Sequence, residues 1–215
     1  MFFSHNIPFE KHEVDDYERK RYRGLDQKIV HWREKTILRR ILKGVSHDSG
    51  WALDVPCGYG RFSSLFLEKG LCLVNSDLSF HMVKRARERS QYFGFPLAVV
   101  ANLKQGLPFK QGVFHLVFSI RFFHHLHKEE ERKAVLREFS RLEPKWVILS
   151  YYKMNRLHFL QRKLRRWLKR SKTQIKMISS SQIEREAQGA GFRIVRTFPL
   201  FKGIHAQQIA LLEKS

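Results

Sequence analysis

The chain has 215 residues, 43% of them apolar and 18 of them phenylalanine, enough for one domain that buries its core without staples. Its longest apolar runs reach about seven residues, short of the roughly 20 that a membrane-spanning helix needs. The polar, charged start MFFSHNIPFEKHEVDDYERKRYRG has no leader pattern, so a cytoplasmic protein is expected. Charge is lopsided, with 41 Lys and Arg against 20 Asp and Glu, a formal net of +21.

Residues 25–43 carry Ile29, Val30, Ile37, Leu38, Ile41 and Leu42 at helical spacing, which predicts a helix with one buried face, stopped by Gly44. Next comes an alternation. WALDVPC (51–57) reads as a strand and 61–69 as a helix; LCLVNSD (71–77) is a strand, and Ser79 caps a helix holding Met82, Val83 and Ala86. LAVVANL (97–103) and VFHLVFSI (113–120) are strands, 129–142 a helix and KWVILSYY (145–152) a strand. Strands separated by helices at this spacing imply a parallel sheet covered on both faces. A helix over 180–190 ends near Gly191. RIVRTFPL and AQQIALLEK follow, joined by a link (FKGIH) so short that it allows only an antiparallel hairpin. The expected fold is α/β and Rossmann-like: a mostly parallel seven-stranded sheet with a C-terminal antiparallel hairpin. One domain over 1–215 is expected, made of an N-terminal helical cap (1–45), a core (51–152), a basic insertion (153–178) and the C-terminal helix and hairpin (179–215).

The insertion concentrates the charge. Between Lys153 and Lys176 there are ten basic residues and no acidic one. Such a block calls for an anionic partner: RNA, a phosphorylated substrate or an anionic membrane surface. Within it, 157–170 places Leu157, Leu160, Leu164, Trp167 and Leu168 on one helical face and Arg and Lys on the other. That pattern suits an active-site lid or a helix lying on a membrane. Cys57 and Cys72 show no CxxC pairing, so neither a disulfide nor a metal site is expected, and Cys57 reads as a buried reduced thiol.

The chemistry gathers at LDVPCGYG (53–60). In an open α/β sheet, ligands bind beyond the carboxyl ends of the strands, beside the point where strand order reverses. Gly58 and Gly60 let the backbone turn tightly and approach a ligand closely. Asp77 closes the second strand, where a carboxylate meets ribose hydroxyls. A dinucleotide loop would carry a third glycine where Ser63 stands. Asp54 beside the turn is ill-suited to a pyrophosphate and suits a cofactor bearing an ammonium and a sulfonium, S-adenosylmethionine.

Several segments in order then carry a family resemblance: LDVPCGYGRFS, SDLSFHMVKRA, ANLKQGLPF with GVFHLVFS, FFHHL, and EFSRLEPKWVILS. From about Trp51 to Pro144 the chain resembles the class I S-adenosylmethionine-dependent methyltransferases, specifically the type 11 methyltransferase domain. The resemblance implies that Gly58 and Gly60 pass under the methionine part of the cofactor, with Asp54 near its amino end. It implies that Asp77 holds the ribose and Leu78 flanks the adenine. Asn102 stands where the family usually has Asp, and Leu103 supplies an adjacent N–H. Ser119 and Ile120 lie beside the sulfonium. Pro56 replaces the usual first glycine, and His115 replaces an Asp inside the fourth strand, where a structural role is expected.

Methyl transfer to a hydroxyl needs a base near its proton, whereas a carboxylate needs none. His124 and His125, beyond the fourth strand, are the candidate bases; Arg121 is a candidate for an anionic substrate; His158 and His205 are weaker candidates. The favoured acceptor is small, anionic or lipid-linked, and methylated on oxygen. RNA is the alternative macromolecular acceptor and DNA is not expected. A non-catalytic binding protein is the remaining reading, motivated by Pro56 and Asn102.

Overall fold

The computed structural model describes residues 10, 12–14, 16, 24–45, 50–91, 97–154 and 176–215. The amphipathic stretch 157–170, its apolar residues Leu157 to Leu168, His158 and most of the basic block lie outside the described residues.

The elements follow the expected alternation: α1 (Leu25–Val45), β1 (Trp51–Asp54), α2 (Ser63–Leu67), β2 (Cys72–Asp77), α3 (Phe80–Ser90), β3 (Leu97–Val100) and β4 (Leu116–Ser119). A 3₁₀ turn over Phe123–His125 precedes α4 (Glu129–Arg141), β5 (Trp146–Tyr152), α5 (Ser180–Gln188), β6 (Phe192–Pro199) and β7 (Gln207–Lys214). The seven strands form one sheet in the order β3-β2-β1-β4-β5-β7-β6. All pairings among β1 to β5 are parallel, and β7 runs antiparallel between β5 and β6. Strand order therefore reverses between β1 and β4, which places a ligand crevice beside the end of β1.

Period-two alternation in the central strands sends successive side chains to opposite faces. Leu53, Val117, Val147, Leu149, Ala210 and Leu212 meet α4 and α5 in one layer. Ala52, Leu116, Phe118, Ile148, Ile209 and Leu211 meet α1 and α2 in the other. There Phe118 packs edge-on to Phe66, ring centroids 4.8 Å apart, an arrangement worth about 0.5–1.5 kcal/mol beyond its burial. The two outer helices α4 and α5 are locked by a fully buried ion pair: Arg132 Nε and Nη2 donate to the two Glu186 carboxylate oxygens at 2.9 and 2.6 Å.

Several boundaries shift. Helix α1 runs through Gly44 to Val45, and only its second half is buried; Leu25, Ile29 and Trp32 are exposed, because the sheet underlies only Glu34 to Val45. β1 stops at Asp54, where the chain turns, although the Val55 amide still donates to the Phe118 carbonyl and the Cys57 amide to the Ser76 carbonyl. α2 is five residues long, preceded by turn residues, rather than a helix over 61–69. Ser79 caps α3 as expected, accepting from the Met82 amide. His115 holds a structural place, its Nε2 lying 3.0 Å from the Val45 carbonyl oxygen.

Candidate active site

The glycine turn is tied directly to the end of β2. The Gly58 amide donates to Asp77 Oδ2 at 2.9 Å, and the Ser79 amide to Oδ1 at 3.0 Å. Asp77 thus organises the crevice before any ligand enters. The Ala101 amide donates to the Asp77 carbonyl, which draws the end of β3 alongside. Gly58 and Gly60 both have positive φ, +53° and +72°, the left-handed region that favours glycine. They serve different ends. A Cβ on Gly60 would meet the Ala86 backbone at 2.8 Å, so this glycine lets α3 pack against the turn. A Cβ on Gly58 would meet nothing within 4 Å among the described residues: it opens on space. That opening fits a cofactor lying against the turn. Tyr59, between them, is covered by Val14 and Met82, so a described part of the N-terminal segment sits on the turn.

The electrostatics fit a cationic ligand. Asp54 is buried beneath the turn; burial, and then the Asp77 charge, push its carboxyl well above the usual range. Asp77 is also raised, by burial, and the amides of Ser79, Gly58 and Leu78 oppose that shift. A cation entering between them would favour both ionised forms. Burial, then Asp77 and Asp54, push the Cys57 thiol well up, so it remains a neutral buried thiol, as expected. The Val55–Pro56 peptide is cis, and Pro56 stands between the two backbone donors that close the turn.

The remaining predicted cofactor residues end or follow the neighbouring strands at the same edge of the sheet. Leu78 is half-buried after β2. Asn102 follows the end of β3, where its Oδ1 accepts from the Lys104 amide at 3.0 Å, leaving that oxygen one lone pair for a ligand. Leu103 is buried beside it. Ser119 ends β4; its Oγ is buried without a hydrogen-bond partner among the described residues.

The loop after β4 is anchored by contacts of Arg121. Arg121 adopts φ +62°, rare for a residue other than glycine. Its amide donates to Ser150 Oγ at 2.7 Å and its Nε to Glu34 Oε1 at 2.7 Å. Arg121 is therefore engaged by a carboxylate of the protein. Glu34 projects from α1 and is fully buried. Arg61 Nη1 lies 2.8 Å from its Oε2, and Gln207 Nε2 donates to its Oε1 at 2.7 Å. One carboxylate thus joins α1, the residue after Gly60, the loop after β4 and the start of β7. Sequence reasoning missed Glu34, Arg61 and Gln207. The available signal was an acid on the otherwise apolar stripe Val30–Glu34–Ile37–Leu38–Ile41.

Of the two candidate bases, His124 is buried and His125 exposed. Their rings lie 3.8 Å apart between centroids; Tyr152 lies 4.9 Å beyond His124, and His205 lies 6.0 Å beyond Tyr152. Four rings thus run from the end of β4 to the β6–β7 link. No cluster of three or more metal-ligating side chains occurs among the described residues.

A sheet with this strand order, a glycine turn opening on space at the switch point and an acid closing the next strand define the class I methyltransferase fold. The comparisons agree: residues 53–144 match the model of the methyltransferase domain. Two curated relatives are 34% identical to the chain. One is a tRNA (carboxymethyluridine(34)-5-O)-methyltransferase of Xenopus tropicalis, matched over 116 residues, 50% of this chain and 17% of the relative. The other is a malonyl-[acyl-carrier protein] O-methyltransferase of Hamiltonella defensa, matched over 92 residues, 43% of this chain and 33% of the relative. The chain thus spans a third or less of the length of either. The fold matches the magnesium protoporphyrin IX methyltransferase of Synechocystis, solved with S-adenosylhomocysteine bound, with TM-score 0.75, 21% identity, and coverage of 96% of this chain and 100% of that one. A protein of Pyrococcus horikoshii matches with TM-score 0.72 and 18% identity over 96% and 100% of the two chains. The chain thus has the class I methyltransferase fold, with the match to the methyltransferase domain lying over residues 53–144.

Proposed function

We propose that the protein methylates an oxygen of a carboxylate-bearing acceptor, using S-adenosylmethionine. The observation that carries the cofactor half is Gly58, a left-handed glycine opening on space and fastened to Asp77. Asp54, Gly58, Gly60, Asp77, Leu78, Asn102, Leu103 and Ser119 are the residues assigned to it. When bound, the cofactor supplies an electrophilic methyl group on a sulfonium, passed to the acceptor oxygen in one displacement that leaves S-adenosylhomocysteine. Asp54 would supply the negative field for its charged end and Asp77 would hold its ribose, so that catalysis is chiefly alignment.

The acceptor half rests on chemistry. A carboxylate attacks without losing a proton, so no base is required, and His124 and His125 serve to shape the approach rather than to accept a proton. The two curated relatives are named for O-methylation, of a carboxymethyl and a malonyl group, and each of those groups bears a carboxylate. Labelled methyl transfer tests both halves. A carboxylate product is a methyl ester and releases its label as methanol in mild alkali. Label that survives alkali refutes the carboxylate reading, and an absence of S-adenosylhomocysteine binding at sub-millimolar levels refutes the methyltransferase reading.

The net charge of +21 and the tRNA-acting relative favour a second reading, in which the carboxylate belongs to a modified RNA base. It requires RNA binding whose log affinity falls linearly with log salt. Weak binding near physiological salt removes it.

A further inference from the structure

The carboxyl edge of the sheet holds a second concavity, strands away from the glycine turn. It lies where β5 ends, α5 begins and the β6–β7 link turns, and has a volume of about 620 Å³. Tyr151, Lys153, Thr197, Lys202, His205 and Gln208 supply its polar lining. None of the described residues lining it is acidic. Neither Lys153 nor Lys202 is paired with a carboxylate among the described residues; both are exposed at the rim. The floor is firmer. Tyr151 is buried, its phenol hydrogen-bonded to Ser180 and Thr197, and Met154 and Pro199 add apolar surface. The mouth is fixed by backbone: the Lys153 amide donates to the Ala206 carbonyl, and the Ile178 amide to the Tyr152 carbonyl.

A cavity of this size, partly apolar and carrying two ammonium groups that no carboxylate pairs with among the described residues, has the character of a site for part of a small molecule with an anionic end. It is also connected to the reacting region. His205 lines it, and the ring row His205–Tyr152–His124 leads from it back to the end of β4. We propose that this cavity binds an anionic group of the acceptor, a phosphate or a second carboxylate remote from the methylated atom, with Lys153 and Lys202 as its counter-charges. The ring row then lines the path between the two ends of the acceptor. The identity of the bound molecule as an acceptor rests on the methyltransferase reading; the existence of the anion site does not.

The test is calorimetric titration of the whole chain with two probes, inorganic pyrophosphate and succinate, at low salt. Three proteins are compared: the unaltered chain, Lys153→Gln/Lys202→Gln, and Lys69→Gln/Lys110→Gln, which loses the same charge at exposed lysines elsewhere. Each is also titrated with S-adenosylhomocysteine. The expected result is at least about a tenfold loss of affinity for one probe in the Lys153/Lys202 variant alone, the loss of a charge-assisted contact. The probe that shows the loss identifies phosphate or carboxylate as the recognised group. Equal affinities in all three proteins, or an equal loss in the two variants, overturn the site. If S-adenosylhomocysteine binds throughout while the probes fail to discriminate, only the cavity proposal falls. If S-adenosylhomocysteine binds none of them, the methyltransferase reading falls, and the probe result still decides whether the anion site exists.

Discussion

Replacing Glu34 with Ala removes a carboxylate that contacts Arg61, Arg121 and Gln207 together. The ion pairs are 2.8 and 2.7 Å long, Glu34 is fully buried, and the two arginine side chains are 9% and 16% exposed. At an effective dielectric near 20, each contact carries a gross attraction of about 6 kcal/mol. Most of that is offset by the cost of taking the charges out of water. The loss on truncation is larger than the net worth of the cluster, because it takes a buried counter-charge away from two guanidiniums that both contact it. Removing one partner of a buried pair typically costs about 3–5 kcal/mol, a large part of the roughly 5–15 kcal/mol that holds a domain together. In urea the midpoint should fall with the slope unchanged. The deficit should persist from about 0.1 to 1 M salt, since buried pairs are poorly screened. Glu34→Gln keeps an acceptor oxygen and should lose less. A Glu34→Ala variant less than about 1 kcal/mol below the parent, or one rescued by salt, would refute a buried, charge-critical Glu34.

Gly60→Ala forces a Cβ onto Ala86 at φ +72° and should lose about 2–4 kcal/mol of stability, read as a lower thermal midpoint. Gly58→Val, facing open space, should lose less stability but at least about tenfold in S-adenosylhomocysteine affinity; the reverse ranking of the two variants would contradict their assigned roles. Arg132→Ala strands the buried Glu186 and should cost about 3–5 kcal/mol, most of which Arg132→Met/Glu186→Leu should recover by refilling the space with apolar groups. His31 has its pKa lowered from 6.5 to about 4, chiefly by burial and then by Lys35, Arg121 and Arg89. Between those values protons bind the unfolded chain more than the folded one, so this group subtracts stability as pH falls from 6.5 towards about 4. The raised carboxyl of Asp54 acts in the opposite sense, losing stability as pH rises through its folded pKa. His31→Gln should flatten the acid-side fall in melting temperature, and an unchanged slope would show that His31 is not responsible.

The parts of the fold written in local pattern were legible in the sequence. Ser79 read as a cap and is one; Gly58 and Gly60 read as a ligand turn and adopt positive φ. β6 and β7 pair antiparallel, as the short link required. The Glu34 cluster was not legible, because it is assembled across the chain: Glu34 meets Arg121 at a separation of 87 residues and Gln207 at 173. No local spacing announces such a contact. For the same reason Arg121 read as a residue awaiting substrate when its charge already has a partner. Exposure along α1 was misread because periodicity reports which face is apolar, whereas the length of sheet beneath it decides how far that face is covered. Leu25 and Ile29 lie beyond the covered half.

The placement of β7 between β5 and β6 has a consequence in time. During synthesis β6 emerges before β7, yet β6 touches the rest of the sheet only through β7. Gln207, which opens that strand, also completes the ring of donors around Glu34. A growing chain can close β1 to β5 early, but its outermost strand has nothing to pair with until residues 207–214 arrive. The Lys202 rim of the proposed anion site likewise waits on them. Assembly of this sheet is therefore gated by β7, and a ribosome paused before Gln207 would hold an unfinished sheet with the β5 edge unpaired, exposed to other chains.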